Sequence, residues 1–308
     1  MSDEPSTVDR FEHWVRSSAT IVAPATALSA LLFYFGYVSS RSQYEYFGID
    51  VDVVGLGTRD YIMRSPQPLL VPMLVLTLAG IGVLALLALT RRWVTSLDLD
   101  ANGERAKQVR RLATGCLTAG LTVLGLGLLL LFGYMRLRGW AFYPLVTPLL
   151  IGSGAALVAY GSHVRELLRR RPKQTSTEDP ALLLRRSARA LVVVVIVVSV
   201  FWTTATVAQW SGRGLAQRQA LDLDDLPSVI LDTKERLYLR SPGIDENALE
   251  QSEGQTFHYR YRNLRLLIHA NDLMFLVPNK WSASDSTLIV KMNDSVRVQF
   301  QFQNQRPE

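Results

Sequence analysis

The sequence of 308 residues is poor in charge and in cysteine. Asp, Glu, Lys and Arg make up only 19% of it, whereas hydrophobic residues make up 48%. Soluble globular domains carry about 25% charged residues, so the composition argues against a soluble enzyme. The single cysteine, Cys116, lies inside an apolar run, which excludes a disulfide framework, a CxxC redox pair and a thiolate metal site.

Charged residues are absent altogether from five long stretches. A helix of about 20 residues spans the roughly 30 Å hydrocarbon layer, and each stretch is long enough to do so. In lipid every backbone amide must be paired within its own segment, which favours helix. We therefore predict an α-helical polytopic membrane bundle of five transmembrane helices, in contact with the lipid bilayer. The five stretches are residues 17–40, 65–90, 112–135, 139–162 and 190–212.

The lack of charge inside these stretches also bears on function. Ionisable groups within spanning helices mark proton relays and ion paths, so their absence argues against a proton- or sodium-coupled transporter. The sequence has no GxSxG, no HExxH and no phosphate-cradling glycine loop. We expect no catalytic residue, no cofactor and no metal site.

The connection at residues 41–64 holds the strongest alternative to that expectation. It contains Asp50 and Asp52, which could ligate a cation, together with aromatic residues such as Tyr44 and Phe47. Calcium loops need more oxygen ligands at regular spacing and a turn glycine. We therefore predict a loop anchored at the bilayer interface by its aromatic residues.

Basic residues are unevenly distributed along the chain. They concentrate in the connections 91–111 and 165–189, which predicts that these two are cytoplasmic. The N-terminus, residues 1–16, is then cytoplasmic and the C-terminal domain lies outside. Residues 1–212 hold 21 Lys and Arg against 14 acidic residues, whereas residues 213–308 hold 12 against 13. Because the basic excess belongs to the membrane half, nucleic acid is excluded as a partner.

From residue 213 onwards the pattern changes to that of a small, mainly β domain. Apolar and polar residues alternate from Phe257 and again from Val296, as in half-buried strands. The turn formers Asn271-Asp272 and Asn293-Asp294-Ser295 predict hairpins over 264–277 and 287–302. Earlier strands are predicted near 228–232 and 236–240. The chain is thus expected to end in an extracytoplasmic β-rich domain, residues 213–308.

Arginine and tyrosine cluster in this domain, and both are enriched in recognition surfaces. We predict a ligand or partner contact there. Strand alternation supports a second interpretation, in which the arginines form a polar sheet face that backs an aromatic core. The predicted contact residues are Tyr259, Arg260, Tyr261, Arg262, Arg265 and Trp281.

Small residues spaced one helical turn apart mark faces where two helices can approach closely. Two interpretations stay open, association into a homo-oligomer and ordinary packing within one bundle. The residues are Gly115 and Ala119 in the third stretch, with Gly152, Ala155, Ala156 and Ala159 in the fourth.

The segment SQYEYFGIDVDVVGLGTRDYIMRS, followed by apolar helices and a β-rich tail, resembles uncharacterised multi-pass membrane proteins of high-GC Gram-positive bacteria. The resemblance covers the architecture and this one loop. It implies a bacterial plasma membrane and carries no catalytic or ligand-binding residues.

Two functions fit these patterns. The first is a non-enzymatic anchor or sensor whose outer β domain binds a protein partner or an envelope component. The alternative is a transporter or channel-like subunit without intramembrane charges, in which Pro24, Pro148 and the glycine-rich third helix would act as gating elements.

Overall fold

A computed structural model describes residues 7–96, 104–169, 180–239, 241–250, 252–282 and 285–301. Its helices are α1 (Thr7–Tyr46), α2 (Val51–Val54), α3 (Thr58–Arg64), α4 (Pro66–Ser96), α5 (Glu104–Phe132), α6 (Tyr134–Leu137), α7 (Tyr143–Arg169) and α8 (Pro180–Leu221), followed by a 3-10 turn, Leu223–Asp225. The strands are β1 (Ser228–Thr233), β2 (Asp245–Ala248), β3 (Tyr259–Ala270), β4 (Leu273–Pro278), β5 (Leu288–Lys291) and β6 (Val296–Gln301).

Five of these helices are long and apolar enough to cross a membrane. They contain the spans Val22–Tyr46, Pro66–Val94, Lys107–Phe132, Tyr143–Leu168 and Leu184–Leu221. Large apolar side chains point outward from them, and Leu84 and Leu129 are each 68% exposed. An apolar surface of this extent is unfavourable in water and favourable in lipid. The predicted fold class, membrane-spanning helices followed by a small β domain, is confirmed, and the chain is a multi-pass membrane protein.

The chain divides into two compact units. One comprises Met1–Pro68 with Ala208–Glu308, and the other comprises Leu69–Val207. The first unit therefore contains α1, α2, α3, the last turns of α8 and the whole sheet. The predicted boundaries at residues 16 and 212 stay predictions.

The sheet of the first unit is antiparallel, with the strand order β5-β4-β3-β1-β6 and with β2 also paired to β3. Strand β1 confirms the strand predicted at 228–232, and β3 and β4 form the hairpin predicted around Asn271-Asp272. Asn271 adopts φ 52°, a left-handed turn conformation that asparagine tolerates.

The second predicted hairpin is wrong. Strand β5 pairs with β4, whereas β6 pairs with β1 at the opposite edge of the sheet. This arrangement lets Val296 and Val298 of β6 join the apolar cluster built by Val229 and Leu231 of β1. Burial against β1 therefore outweighs the local tendency of Asn293-Asp294-Ser295 to return the chain beside β5.

The strand predicted at 236–240 is wrong for the residues that the structure describes, 236–239, and Arg240 lies outside them. The backbone N–H of Leu237 donates to the Tyr261 hydroxyl (2.7 Å) rather than to a strand, and Tyr238 has φ 50°. The short strand β2 takes its place. Its sequence, Asp-Glu-Asn-Ala, lacks the apolar alternation that predicts a strand.

In the second unit, α5 and α7 pack through glycines on both helices. A Cβ at Gly154 would lie 2.5 Å from the Leu124 backbone nitrogen, and one at Gly120 would lie 2.8 Å from that of Val158. Gly127 and Gly161 make similar close approaches. Each helix thus presents two glycines seven residues apart, which is two turns along one face.

Candidate functional site

An extensive polar and aromatic arrangement lies where the sheet meets α1, α2 and α3 in the first unit. Residues 41–64, here called the docking segment, pack against one face of the sheet. Tyr44, Phe47, Val51 and Val54 of this segment are all at most 2% exposed. They share one apolar cluster with strand residues such as Phe275. The prediction of an interfacial loop anchored by its aromatic residues is therefore wrong for Tyr44 and Phe47, which are buried in protein.

Local hydrogen bonds explain how the docking segment turns. Asp50 caps α2 by accepting from the backbone N–H of Asp52 (3.1 Å), and α2 ends at Gly55 with φ 70°. The backbone N–H of Gly57 donates to the Asp60 carboxylate (2.9 Å) at the start of α3. Asp50 therefore serves as a helix cap. No group of three metal-ligating side chains occurs among the described residues.

Two hydrogen bonds tie the docking segment to the sheet. The Asn271 amide in the β3–β4 turn donates to the carbonyl of Gly55 (3.1 Å), and the Thr287 hydroxyl donates to the carbonyl of Phe47 (2.7 Å). Together with the shared apolar cluster, these bonds make the segment part of the β domain's own core.

Helix α1 is held by two glycine contacts with backbone. A Cβ at Gly36 would lie 2.7 Å from the Tyr61 carbonyl carbon in α3, and one at Gly212 in α8 would lie 2.8 Å from the carbonyl carbon of Ser39. Gln43 also donates to Gln219 of α8 (2.8 Å). The last turns of α1 are therefore in close contact with both α3 and α8.

Tyrosine hydroxyls near this junction lie in a poorly solvated environment. The guanidinium of Arg64 donates to the Tyr44 hydroxyl (2.6 Å). In α3, burial raises the pKa of Tyr61 above its ordinary value, and the nearby charge of Asp52 adds to the shift. Tyr61 therefore stays protonated at neutral pH and acts as a packing residue, with its ring 5.4 Å from that of Phe33.

The sheet carries a second arrangement, here called the polar face, made of Asp232, Arg260, Arg262, Arg297 and Gln299. Asp232 is fully buried and accepts from Arg260 (2.8 Å) on one neighbouring strand and from Arg297 (2.6 Å) on the other. Arg262 follows Arg260 by two residues and is exposed, as is Gln299. The polar face thus combines a fixed charge cluster with groups that water can reach.

The carboxylate of Asp232 stays ionised despite its burial. Burial alone would raise its pKa, but hydrogen bonds from Arg260 and Arg297 outweigh that effect and hold the pKa below its ordinary value. Arg297 also lies over the Phe257 ring, 4.9 Å from its centroid. The orientation of both arginines is therefore determined by the folded domain.

Arg265 has an internal role. It is only 4% exposed, and it donates to Asn279 (2.5 Å), to the carbonyl of Leu226 (3.1 Å) and to Asp224. These bonds link β3 to the turn that follows α8. Arg265 thus positions the sheet at the end of that helix.

The six predicted contact residues do not lie on one surface. Tyr261 is fully buried in the opposite face, where burial raises its pKa, and Arg265 is buried as described, so neither is open to a partner. Tyr259 is half-buried beside Tyr261 in the same cluster. Arg260 and Arg262 share the polar face, in agreement with the alternation that predicted a polar face behind an aromatic core. The contact itself stays a prediction.

Trp281 lies elsewhere, at the junction with the docking segment. Its ring is 5.1 Å from that of Phe47 and 5.6 Å from that of Tyr46. Its indole N–H is buried and has no hydrogen-bond partner in the part of the chain that the structure describes. The residue therefore closes the edge of the shared apolar cluster.

Asp232 and Arg297 complete the polar face, and the sequence alone did not single them out. Both alternate with apolar residues in their strands, Asp232 after Leu231 and Arg297 between Val296 and Val298. A carboxylate flanked by apolar residues in a strand, with arginines at alternate positions of two other strands, is the pattern that could have indicated the cluster.

The predicted helix-packing residues are distributed over several surfaces of the second unit. Gly115 and Ala119 are exposed on α5, and a Cβ at Gly115 would meet no other atom within 4 Å. Ala155 is 3% exposed, and a Cβ at Gly152 would lie 2.9 Å from that of Ser199 in α8. Ala159 is half-buried. Association through any of these residues stays a prediction.

Ala156 belongs to an apolar groove of about 360 Å³ that is bounded by α4, α7 and α8. Pro72 and Pro148 lie in its wall, and the residues that line it carry no charge. Two of its hydroxyl groups, those of Thr203 and Thr204, donate to carbonyls of their own helix (both 2.8 Å). The surface of this groove is therefore almost entirely apolar.

No protein-family model matches the chain, and neither the curated proteins nor the solved structures contain a significant match to it. The fold and the geometry of its sites are therefore the basis for any statement about its function.

Proposed function

We propose that this protein is a non-enzymatic anchor or sensor of the bacterial plasma membrane, whose C-terminal β domain lies outside the cell and binds a partner or an envelope component. One observation carries the proposal. The β domain shares its apolar core with the docking segment, and one residue of that segment, Tyr44, also belongs to the membrane span Val22–Tyr46.

A domain built in this way cannot move independently of its membrane helix. Displacing the sheet from α1 would expose side chains such as Tyr44 and Phe47, each 2% exposed. Exposure of one such side chain costs about 1.5–3 kcal/mol. A partner that shifts the domain therefore shifts the helix, as a sensor requires, whereas a simple tether would need no shared core.

We place the partner contact on the polar face. Its accessible groups are the guanidinium of Arg262, the half-exposed guanidinium of Arg297 and the amide of Gln299. Asp245 lies opposite Arg262 in β2 and accepts from Asn263 (2.8 Å), and among the described residues no hydrogen bond joins it to Arg262. Arginines are frequent energetic centres of interfaces, and the exposed Arg262 beside Arg297, which Asp232 holds in place, suits a partner rich in carboxylate, phosphate or hydroxyl groups.

Photo-crosslinking in intact cells tests the proposal. A photoreactive residue replaces Gln299 on the polar face, and in a matched control it replaces Glu253, which is exposed in a turn. We expect one partner, identified by mass spectrometry, to be captured from position 299 and not from position 253.

A charge variant then tests the contact itself. Arg262→Glu should lower the capture more than tenfold, since arginines at interface centres contribute about 2 kcal/mol or more. Lys291→Glu, also at an exposed cation, should leave it unchanged. Equal capture by both variants, or none from either crosslinker position, would refute the proposal.

A further inference from the structure

A shallow, open groove of about 510 Å³ runs along one face of α5, and the residues that line it are exposed. Three cations and three small residues line it, namely Lys107, Arg110, Arg111, Thr114, Gly115 and Thr118. Counted from Lys107 they recur at i, i+3, i+4, i+7, i+8 and i+11, so the cations lie at one end of a single helical face and the small residues at the other. The groove belongs wholly to the second unit.

The cations of this groove have no ion-pair partner among the described residues. Lys107, Arg110 and Arg111 form no salt bridge there, whereas Arg189 at the start of α8 is paired with Glu166 (2.6 Å). A fourth cation, Arg165 of α7, donates to the Thr114 hydroxyl (3.1 Å) in the wall of the groove. The site therefore presents concentrated positive charge that the described protein does not neutralise.

The groove also runs from the charged end of α5 into its uncharged stretch. Arg111 is the last charged residue before the uncharged run of α5, whose span ends at Phe132. Thr114 and Thr118 lie three and seven residues further along, which is about 5–10 Å deeper at 1.5 Å per residue. A Cβ at Gly115 would meet nothing within 4 Å, so the floor of the groove is open at that depth.

We propose that this groove binds an anionic phospholipid of the adjacent leaflet. The lipid phosphate pairs with Lys107, Arg110 and Arg111, because arginine and lysine are the usual partners of phosphate at a membrane surface. Arg165 and Thr114 lie one turn deeper, at the level of the ester oxygens. One acyl chain then follows the open surface at Gly115 and Thr118.

Basic residues that only determine topology need no concave site. Arg185 and Arg186 of α8 are exposed cations of that kind and line no such groove. The small residues beyond Arg111 select a lipid over free phosphate, since inorganic phosphate would use only the charged end. The inference is independent of the proposed function, because no residue of the β domain takes part.

Native mass spectrometry of the purified full-length protein in detergent measures the binding. The probes are phosphatidylglycerol, phosphatidylcholine with the same acyl chains, and inorganic phosphate. We expect phosphatidylglycerol to bind at least tenfold more tightly than phosphatidylcholine. Loss of two cations should weaken phosphatidylglycerol binding about 25-fold in the Arg110→Gln, Arg111→Gln variant, since each cation near an anionic headgroup contributes a factor of about five.

Two further variants make the result specific. Arg185→Gln, Arg186→Gln removes the same charge outside the groove and should bind phosphatidylglycerol as the wild type does. Gly115→Leu, Thr118→Leu keeps every cation but fills the floor, and it should weaken phosphatidylglycerol binding at least tenfold.

Specific outcomes overturn the inference. Equal weakening by the two double-arginine variants shows a nonspecific surface charge. Phosphatidylglycerol binding that survives filling of the floor, or inorganic phosphate that competes with it at equal concentration, shows a phosphate site without a lipid groove. An unchanged elution volume and helix content confirm that each variant is folded, so that each of these results can be attributed to the groove.

Discussion

Replacing Gly212 by alanine tests whether α8 and α1 meet backbone to backbone. The added Cβ would lie 2.8 Å from the carbonyl carbon of Ser39, 3.1 Å from its Cα, and closer still to its carbonyl oxygen. All three atoms belong to the backbone of α1, so no flexible side chain can move aside. Ordinary contact begins near 3.4 Å, and because the carbonyl oxygen is the nearest of the three atoms, the two helices must separate by more than the roughly 0.6 Å that the carbonyl carbon alone requires.

Two opposing terms set the magnitude. Alanine is favoured over glycine within a helix by about 1 kcal/mol. Forcing a methyl group into a closely packed contact costs about 1–3 kcal/mol, and the upper part of that range applies where only backbone can yield. We expect Gly212→Ala to lower the free energy of unfolding by about 1–2 kcal/mol.

Gly214, two residues further along the same helix, provides the matched control. A Cβ there would meet no atom within 4 Å. The same chemical change should therefore give only the helix-propensity gain, and Gly214→Ala should stabilise the protein by about 0.5–1 kcal/mol. The two variants should thus shift stability in opposite directions.

Thermal unfolding of the purified protein in detergent, followed by circular dichroism at one scan rate, measures the difference. A fixed scan rate is needed because unfolding of membrane proteins is often irreversible. We expect the transition temperature to fall for Gly212→Ala and to rise for Gly214→Ala. Equal transition temperatures, or a larger loss for Gly214→Ala, would refute the close approach of α1 and α8.

Three further predictions concern the α5–α7 contact, the polar face and the orientation. Gly154→Ala should destabilise the protein by about 1–2 kcal/mol in the same assay, because its Cβ would meet backbone at 2.5 Å. Gly115→Ala should not destabilise it, and equal effects of the two variants would contradict the packing. Asp232→Asn should cost about 2 kcal/mol at neutral pH. The folded-state pKa of Asp232 is lowered, so the contribution of its ion pairs to stability is present above about pH 4 and is lost as the pH falls through that lowered value. The variant should therefore lose less stability in acid than the wild type does. Parallel pH profiles would contradict the ion pairs. With Cys116 replaced by serine, Glu253→Cys should react with an impermeant thiol reagent in intact cells, and labelling only after lysis would place the β domain inside.

The architecture could be predicted from the sequence because its main causes are local. An uncharged run of more than 20 residues has no stable place in water, so the five helices follow from composition alone. Strand alternation and the turn former Asn271-Asp272 likewise indicate the β3–β4 hairpin. Both features depend on residues that are close together in the chain.

Contacts between distant segments could not be predicted in the same way. The docking segment contains Val51 and Val54, three residues apart, which indicate a short amphipathic turn but give no sign of which surface covers it. That surface includes Phe275, more than 200 residues away, and a single sequence does not specify such a pairing. The placement of β6 beside β1 was missed for the same reason.

Small-residue spacing indicates a shared helix face but does not identify the neighbour. Gly115 and Ala119 are one turn apart, yet the face of α5 that meets α7 carries Gly120 and Gly127. The more informative signal was the seven-residue spacing of glycines on both helices, since Gly154 and Gly161 repeat it on α7. A spacing shared by two helices indicates a mutual contact more strongly than a pair on one helix.

Two close glycine contacts join α1 to elements that are attached to the sheet. Gly36 meets Tyr61 of α3, and Ser39 meets Gly212 of α8, so the contacts lie three residues, less than one turn, apart on α1. Helix α3 belongs to the docking segment, and the 3-10 turn after α8 is bonded to the sheet through Arg265. Helix α1 therefore contacts, through one face, two elements that are both attached to the sheet. Separating α1 from the sheet would therefore break both backbone contacts and expose buried side chains of the shared cluster, such as Tyr44.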